Sequence, residues 1–210
     1  MRARRFDYYG SPARQPYVLF NFFGPVVHEY CPSRADWDAS RIRALRAATR
    51  PAKCAYDPLP ADRVPTLERA QRETKGTDGW DRPVLMHGDL SDRNIIVDPD
   101  TPAITGLIDW EMANVMPAYY EYVAARLSGG HTPEWRRELL DVLRDVLRHE
   151  CAQDLGKESG GGTGEGDGGY REMLAAWDAI VDAERFAHRI GDECYWTLIQ
   201  VFRITRPYMT

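Results

Sequence analysis

Val84-Leu85-Met86-His87-Gly88-Asp89-Leu90-Ser91-Asp92-Arg93-Asn94-Ile95-Ile96-Val97, followed by Ile104-Thr105-Gly106-Leu107-Ile108-Asp109-Trp110-Glu111, is the stretch on which the fold turns. Pro83-Val84-Leu85-Met86, Asn94-Ile95-Ile96-Val97 and Ile104-Thr105-Gly106-Leu107-Ile108 are short, apolar and β-branched, so each reads as a strand. Asp98-Pro99-Asp100 supplies turn chemistry between the second and third, which makes that pair a hairpin. An Asp therefore sits in a loop between strands, an Asn lies five residues on, and a second Asp lies twenty residues on. Two oxygen ligands at opposite ends of one hairpin, facing a loop carboxylate, can hold a magnesium ion against a nucleotide's phosphates. The loop carboxylate can then accept the proton of the hydroxyl being phosphorylated. Asp and Asn also stand at loop ends simply as turn formers, so any one of the three alone carries little.

Outward from this stretch the chain becomes helical. Ser33-Arg34-Ala35-Asp36 has the form of a capping box ahead of a helix with Trp37, Ile42 and Leu45 on one side. A short helix is predicted from Thr66 to Thr74, ending near Gly76. Everything after Tyr119 reads as helix. Trp135, Leu139, Val142, Leu143, Val146 and Leu147 recur at helical spacing behind Thr132-Pro133, and Met173, Leu174, Trp177, Ile180, Val181 and Ile190 do the same. Tyr195-Trp196 to Phe202 gives a last helix. The first thirty residues read as aromatic and irregular, broken by Gly10, Pro12, Pro16, Gly24 and Pro25. Residues 156–169 are glycine-rich and read as a flexible loop. The G-x-G-x-x-G within them follows no strand, and Glu165 and Asp167 would repel phosphate.

Composition bounds the partners. The chain has 210 residues, 43% hydrophobic and 28% charged, enough apolar surface for one cored domain. With 27 Lys and Arg against 32 Asp and Glu, the net charge of −5 argues against nucleic-acid binding through phosphate contacts. No stretch reaches the length of a membrane span. The apolar run from Tyr17 to Phe23 is too short and interrupted for a signal peptide, so a cytoplasmic location is expected. Cys31, Cys54, Cys151 and Cys194 are scattered without a CxxC pair and read as reduced thiols.

The two separated signatures, H-G-D-L-S-D-R-N-I-I-V-D and I-T-G-L-I-D-W-E, resemble the catalytic core of protein-kinase-like phosphotransferases. With Gly88 where those enzymes carry Arg, and I-D-W-E where they carry D-F-G, the chain is more similar to the aminoglycoside phosphotransferase family. That family counts choline and homoserine kinases among its relatives, and the wording here resembles its fungal-type members. The resemblance is dense over residues 84–125, including Pro117 and the aromatic cluster from Tyr119 to Tyr122. It implies an α+β fold, the large C-terminal lobe of a protein-kinase-like enzyme, mostly helical around a small catalytic β-hairpin. The expected organisation is one domain over 1–210, with the core at 83–125 and a helical part at 119–210.

Carried over residue by residue, the resemblance makes Asp89 the catalytic base and Asn94 and Asp109 the metal ligands. It makes His87 the residue that holds the loop by hydrogen bonds, and Arg93 a candidate phosphate contact. Trp110 is expected to pack under the loop and Glu111 to hydrogen-bond locally. The implied cofactors are Mg2+ and ATP as co-substrate. The implied partners are a nucleotide and a small-molecule hydroxyl acceptor, with no nucleic acid and no membrane. No glycine-rich loop between strands appears in residues 1–80, and the only lysines are Lys53, Lys75 and Lys157. The expectation is therefore a large lobe without the N-terminal ATP lobe. That leaves a catalytically silent binding domain, or a gene fragment, as the alternative. A two-metal phosphoesterase would use Gly88-Asp89-Leu90-Ser91-Asp92-Arg93 as G-D-x-x-D-R, but the upstream D-x-H and downstream G-N-H it needs are missing.

Overall fold

A computed structural model describes residues 4, 6–21, 24–48, 61–75, 80–127, 132–155 and 165–188. The described elements run, in chain order, β1 (Tyr17–Asn21), β2 (Gly24–His28), α1 (Arg34–Ala48), α2 (Arg63–Glu73), β3 (Pro83–Met86), β4 (Ile95–Val97), β5 (Ile104–Leu107), β6 (Asn114–Pro117), α3 (Tyr120–Leu127), α4 (Pro133–Leu155) and α5 (Glu165–Ala187). The fold is α+β, and its strands form three antiparallel pairs, β1–β2, β3–β6 and β4–β5.

The central hairpin forms as its sequence dictates. Asp98 Oδ1 accepts the backbone N–H groups of Asp100 and Thr101 at 2.9 and 3.0 Å, which closes the turn and lowers the Asp98 pKa. Ile95 pairs with Leu107 and Ile96 with Gly106. This antiparallel register corrects the expectation that Asn94 and Asp109 stand at opposite ends. Asn94 precedes β4 and Asp109 follows β5, so both lie at the open end, where the Ile108 N–H donates to the Asn94 carbonyl at 3.0 Å.

Two further expectations are corrected, and one strand appears that the sequence does not signal. The first thirty residues are not irregular throughout: Tyr17–Asn21 and Gly24–His28 form a hairpin, with Tyr17 opposite His28. Gly24 and Pro25, which forbid a helix, are compatible with the start of an edge strand, where a missing N–H costs little. Asn114–Pro117 is a strand that pairs Val84 with Met116, hidden in sequence because a four-residue buried strand has no visible alternation. The last five residues of the glycine-rich stretch, Glu165–Gly169, belong to the first turns of α5 rather than to a loop. The predicted last helix, Lys53 and Cys54 lie outside the described residues.

The helices are placed largely as their patterns require. The Ser33 hydroxyl accepts the Asp36 N–H at 3.2 Å, as a cap should. Trp37 and Leu45 are buried, while Ile42 packs at the core's edge. Along α4, Leu139, Leu143 and Leu147 face inward, but Val142 is 57% exposed, outside the stripe it was assigned to. The α2 helix begins three residues earlier than predicted, at Arg63. Packed against α1, α2 and α3, α5 supplies Trp177, fully buried and edge-on to Trp80 at 5.4 Å.

A buried ion pair joins α1 to α5. The Arg41 Nε and Nη2 atoms donate to the two oxygens of Glu184, at 2.7 and 2.5 Å, with both side chains only 2% exposed. Burial alone would push the Glu184 carboxyl up; the Arg41 guanidinium outweighs it and holds the group well below the ordinary carboxylate range. Removing one partner strands the other charge in the core. Arg41→Ala is expected to cost about 3–5 kcal/mol in urea denaturation, whereas the paired replacement of Arg41 and Glu184 by Met recovers most of that loss.

Candidate active site

His87 is completely buried at the end of β3. Its Nε2–H donates to the Ile108 carbonyl at 2.9 Å, which leaves Nδ1 to accept the Asp89 N–H at 3.3 Å. One imidazole thus ties the loop carrying Asp89 to the strand end that precedes Asp109. Asn94 Nδ2 donates both to the Asp89 carbonyl at 2.9 Å and to Asp89 Oδ2 at 3.1 Å. His87, Asp89 and Asn94 form one hydrogen-bonded unit, with Asp109 next to the Ile108 anchor.

The turn itself is built around Gly88, whose φ of 83° lies in the left-handed region. A Cβ there would stand 2.6 Å from the Met112 carbonyl oxygen, so no larger residue fits. Glu121, which the sequence reading did not single out, holds this turn from below. Its carboxylate is 6% exposed and accepts the His87 N–H at 2.7 Å and the Gly88 N–H at 3.0 Å. The signal was present as an acidic residue inside the aromatic run from Tyr119 to Tyr122, where only a partnered charge can be buried.

Asp109 is a non-glycine residue in the left-handed conformation, at φ 64° and ψ 60°. Asp tolerates this better than most side chains, yet such a conformation persists only where the surroundings enforce it. The turn sends Trp110 back onto His87, ring centroids 4.8 Å apart, and the indole N–H donates to the Leu107 carbonyl at 2.9 Å. Trp110 therefore packs against the loop as expected, whereas Glu111 is exposed with no hydrogen bond among the described residues. Asp109 is exposed, and among the described residues its carboxylate has no partner. Arg93 is also exposed, and no carboxylate pairs with its guanidinium among the described residues.

The donor set suits a hard cation. Asn94 spends its amide N–H groups on Asp89, which leaves Oδ1 as a free acceptor beside the Asp109 carboxylate's end of the hairpin. No group of three or more His, Cys, Asp or Glu is assembled for a metal among the described residues. Two protein oxygens completed by phosphate oxygens are the pattern expected of magnesium held with a nucleotide.

The model of the Phosphotransferase enzyme family (APH) matches residues 27–155, from the end of β2 to the end of α4. The chain belongs to the aminoglycoside phosphotransferase family. No curated protein and no solved structure matches it. For a phosphotransferase-family chain, the unit formed by His87, Gly88 and Asp89 lies within the matched region, as do Asn94, Asp109 and Glu121. Among the described residues no helix is long and apolar enough to cross a membrane.

Glu121→Ala would leave two buried N–H groups unsatisfied at the turn. It is expected to lower stability by about 3 kcal/mol in urea denaturation and to speed amide exchange at His87 and Gly88. Unchanged exchange there would remove Glu121 from this role.

Proposed function

We propose that this chain transfers a phosphoryl group from magnesium-ATP to a hydroxyl of a small molecule, on the large lobe of a kinase-like fold. The observation that carries the reading is the hydrogen-bonded unit of His87, Asp89 and Asn94, locked to the strand end that presents an exposed Asp109. Phosphoryl transfer relies on positioning and charge compensation more than on covalent chemistry. A loop held by three independent anchors answers that requirement.

In this reading Asp89 receives the proton of the attacking hydroxyl through the carboxylate oxygen that Asn94 does not engage. His87 takes no proton in transfer, since both its nitrogens are committed to backbone groups, of Asp89 and of Ile108. Asp109 and Asn94 Oδ1 would hold the magnesium, which when bound offsets charge on the phosphates. Arg93 is the candidate for an added phosphate contact. The exposed Ile96 and Ile108, on the face that Gly106 leaves open, offer an apolar surface to a planar base.

A silent binding domain is the second reading, favoured by one observation. The phosphate-binding lysine of kinase-like enzymes lies on a strand, but among the described residues the only lysine, Lys75, follows the end of α2 and is exposed.

Calorimetric titration of ATP with and without magnesium separates the two readings. Asp109→Ala is expected to abolish magnesium-dependent binding, and unchanged affinity would take Asp109 out of the metal site. Asp89→Ala is expected to bind ATP as the parent does while losing transfer by at least two orders of magnitude in a coupled ADP assay. Surviving turnover would take the general-base role from Asp89.

A further inference from the structure

His28, the last residue of β2, stands beside Arg41, where α1 also meets the C-terminal end of α5. Arg41 on α1 approaches with its Nη1 3.4 Å from His28 Nδ1. From the end of α5, His188 brings its Nε2 to 3.1 Å from Glu184 Oε2 and 3.3 Å from Arg41 Nη2. On the hairpin itself, Tyr17 stacks on the His28 ring at 5.2 Å. Above them lies a cleft of about 490 Å³, walled by Val26, Ala44, Ala47 and Ala187. Arg43 and Glu29 stand at its rim as an exposed pair.

Arg41 can only donate, so His28 Nδ1 must accept and the ring hydrogen must sit on Nε2. That Nε2 is buried and finds no acceptor among the described residues. A second proton on this ring would replace the acceptor facing Arg41 Nη1 by a donor, and would add a cation beside a guanidinium. Glu184 offsets this only in part, because burial and the guanidinium it serves outweigh its charge at His28. We propose that His28 is a proton-sensitive latch: the β1–β2 hairpin stays docked on α1 while the ring is neutral, and taking up a proton requires the hairpin to lift from α1.

The latch is connected to the candidate active site. Asn114 Nδ2 donates to the Val18 carbonyl of β1 at 3.2 Å and to the Met112 carbonyl at 3.1 Å. Met112 in turn packs on Gly88, so a lifted hairpin removes one of the supports behind the Asp89 turn. This inference does not depend on the transfer reading.

The linkage has a definite sign. Burial first, then Arg41 and His188, push the His28 pKa down to about 3 in the docked state. A freed imidazole titrates near 6.5, so the lifted state gains a proton as pH falls below that value. The docked state is then favoured fully above about pH 6.5 and loses ground at each lower pH, by about tenfold per unit. Tyr17, Tyr120 and Glu184 are moved away from this pH range, since burial raises the two phenols and the Arg41 guanidinium depresses the carboxyl. His188, which bridges Arg41 and Glu184 at the same place, is controlled for by substitution.

Amide exchange of β1 and β2 in the full chain, corrected for intrinsic rates and followed from pH 7.5 to 5, tests the latch. The open fraction is expected to rise about tenfold per unit below pH 6.5 in the parent and in His188→Gln, and to stay flat in His28→Gln. A flat parent profile, or the same slope in His28→Gln, overturns the proposal. The ring 15N shifts of His28 in the parent need no variant. Neutral shifts in the docked state at pH 5 support the latch, and a docked-state titration near pH 6.5 overturns it.

Discussion

The rest of the site depends on one buried carboxylate accepting two consecutive backbone N–H groups. A turn that aims two amides in one direction leaves them unpaired unless something beneath accepts both, and Glu121 does so from the first turn of α3. With the amides of His87 and Gly88 fixed, the His87 ring is fixed, and its two nitrogens set the distance between the Asp89 loop and the end of β5. Gly88 is then the one residue the turn admits, because the Met112 carbonyl occupies the space of any side chain. The geometry of Asp89 is thus an outcome of α3 lying where it does.

That placement of α3 is set by the aromatic core. Tyr119, Tyr120 and Tyr122 are all buried, Tyr120 edge-on to Trp37 of α1 and Tyr122 against Trp177 of α5. Large rigid rings leave few alternative packings, so α1, α3 and α5 are held in one arrangement. The buried pair of Arg41 and Glu184 adds direction to this packing: it contributes little net stability but penalises any register in which the charges miss each other.

The sequence was most legible where chemistry and periodicity coincide. Spacing and resemblance single out His87, Asp89, Asn94 and Asp109, the first three of which share one hydrogen-bonded unit, and the neighbours of Asp98 mark it as a turn former. The β1–β2 hairpin was missed because its interruptions at Gly24 and Pro25 look the same in a loop as at the start of an edge strand. Asn114–Pro117 was missed because a strand buried on both faces does not alternate. Glu121, Arg41 and Glu184 lie in helices where acids and arginines are ordinarily solvated; only the tertiary partner distinguishes a buried charge from a surface one. The same holds for His28, unremarkable in sequence and decided by the guanidinium that reaches it.

The pair joining residues 41 and 184 also constrains how the chain acquires its structure during synthesis. It spans 143 positions, and α5 packs against α1, α2 and α3 alike. Helices made early must therefore wait on the ribosome with their α5-facing surfaces uncovered until the last of these elements emerges. Loop closure over such a separation is slow and exposes apolar surface meanwhile. Expression of this chain should accordingly respond to chaperone supply and to growth temperature more than its size alone would suggest.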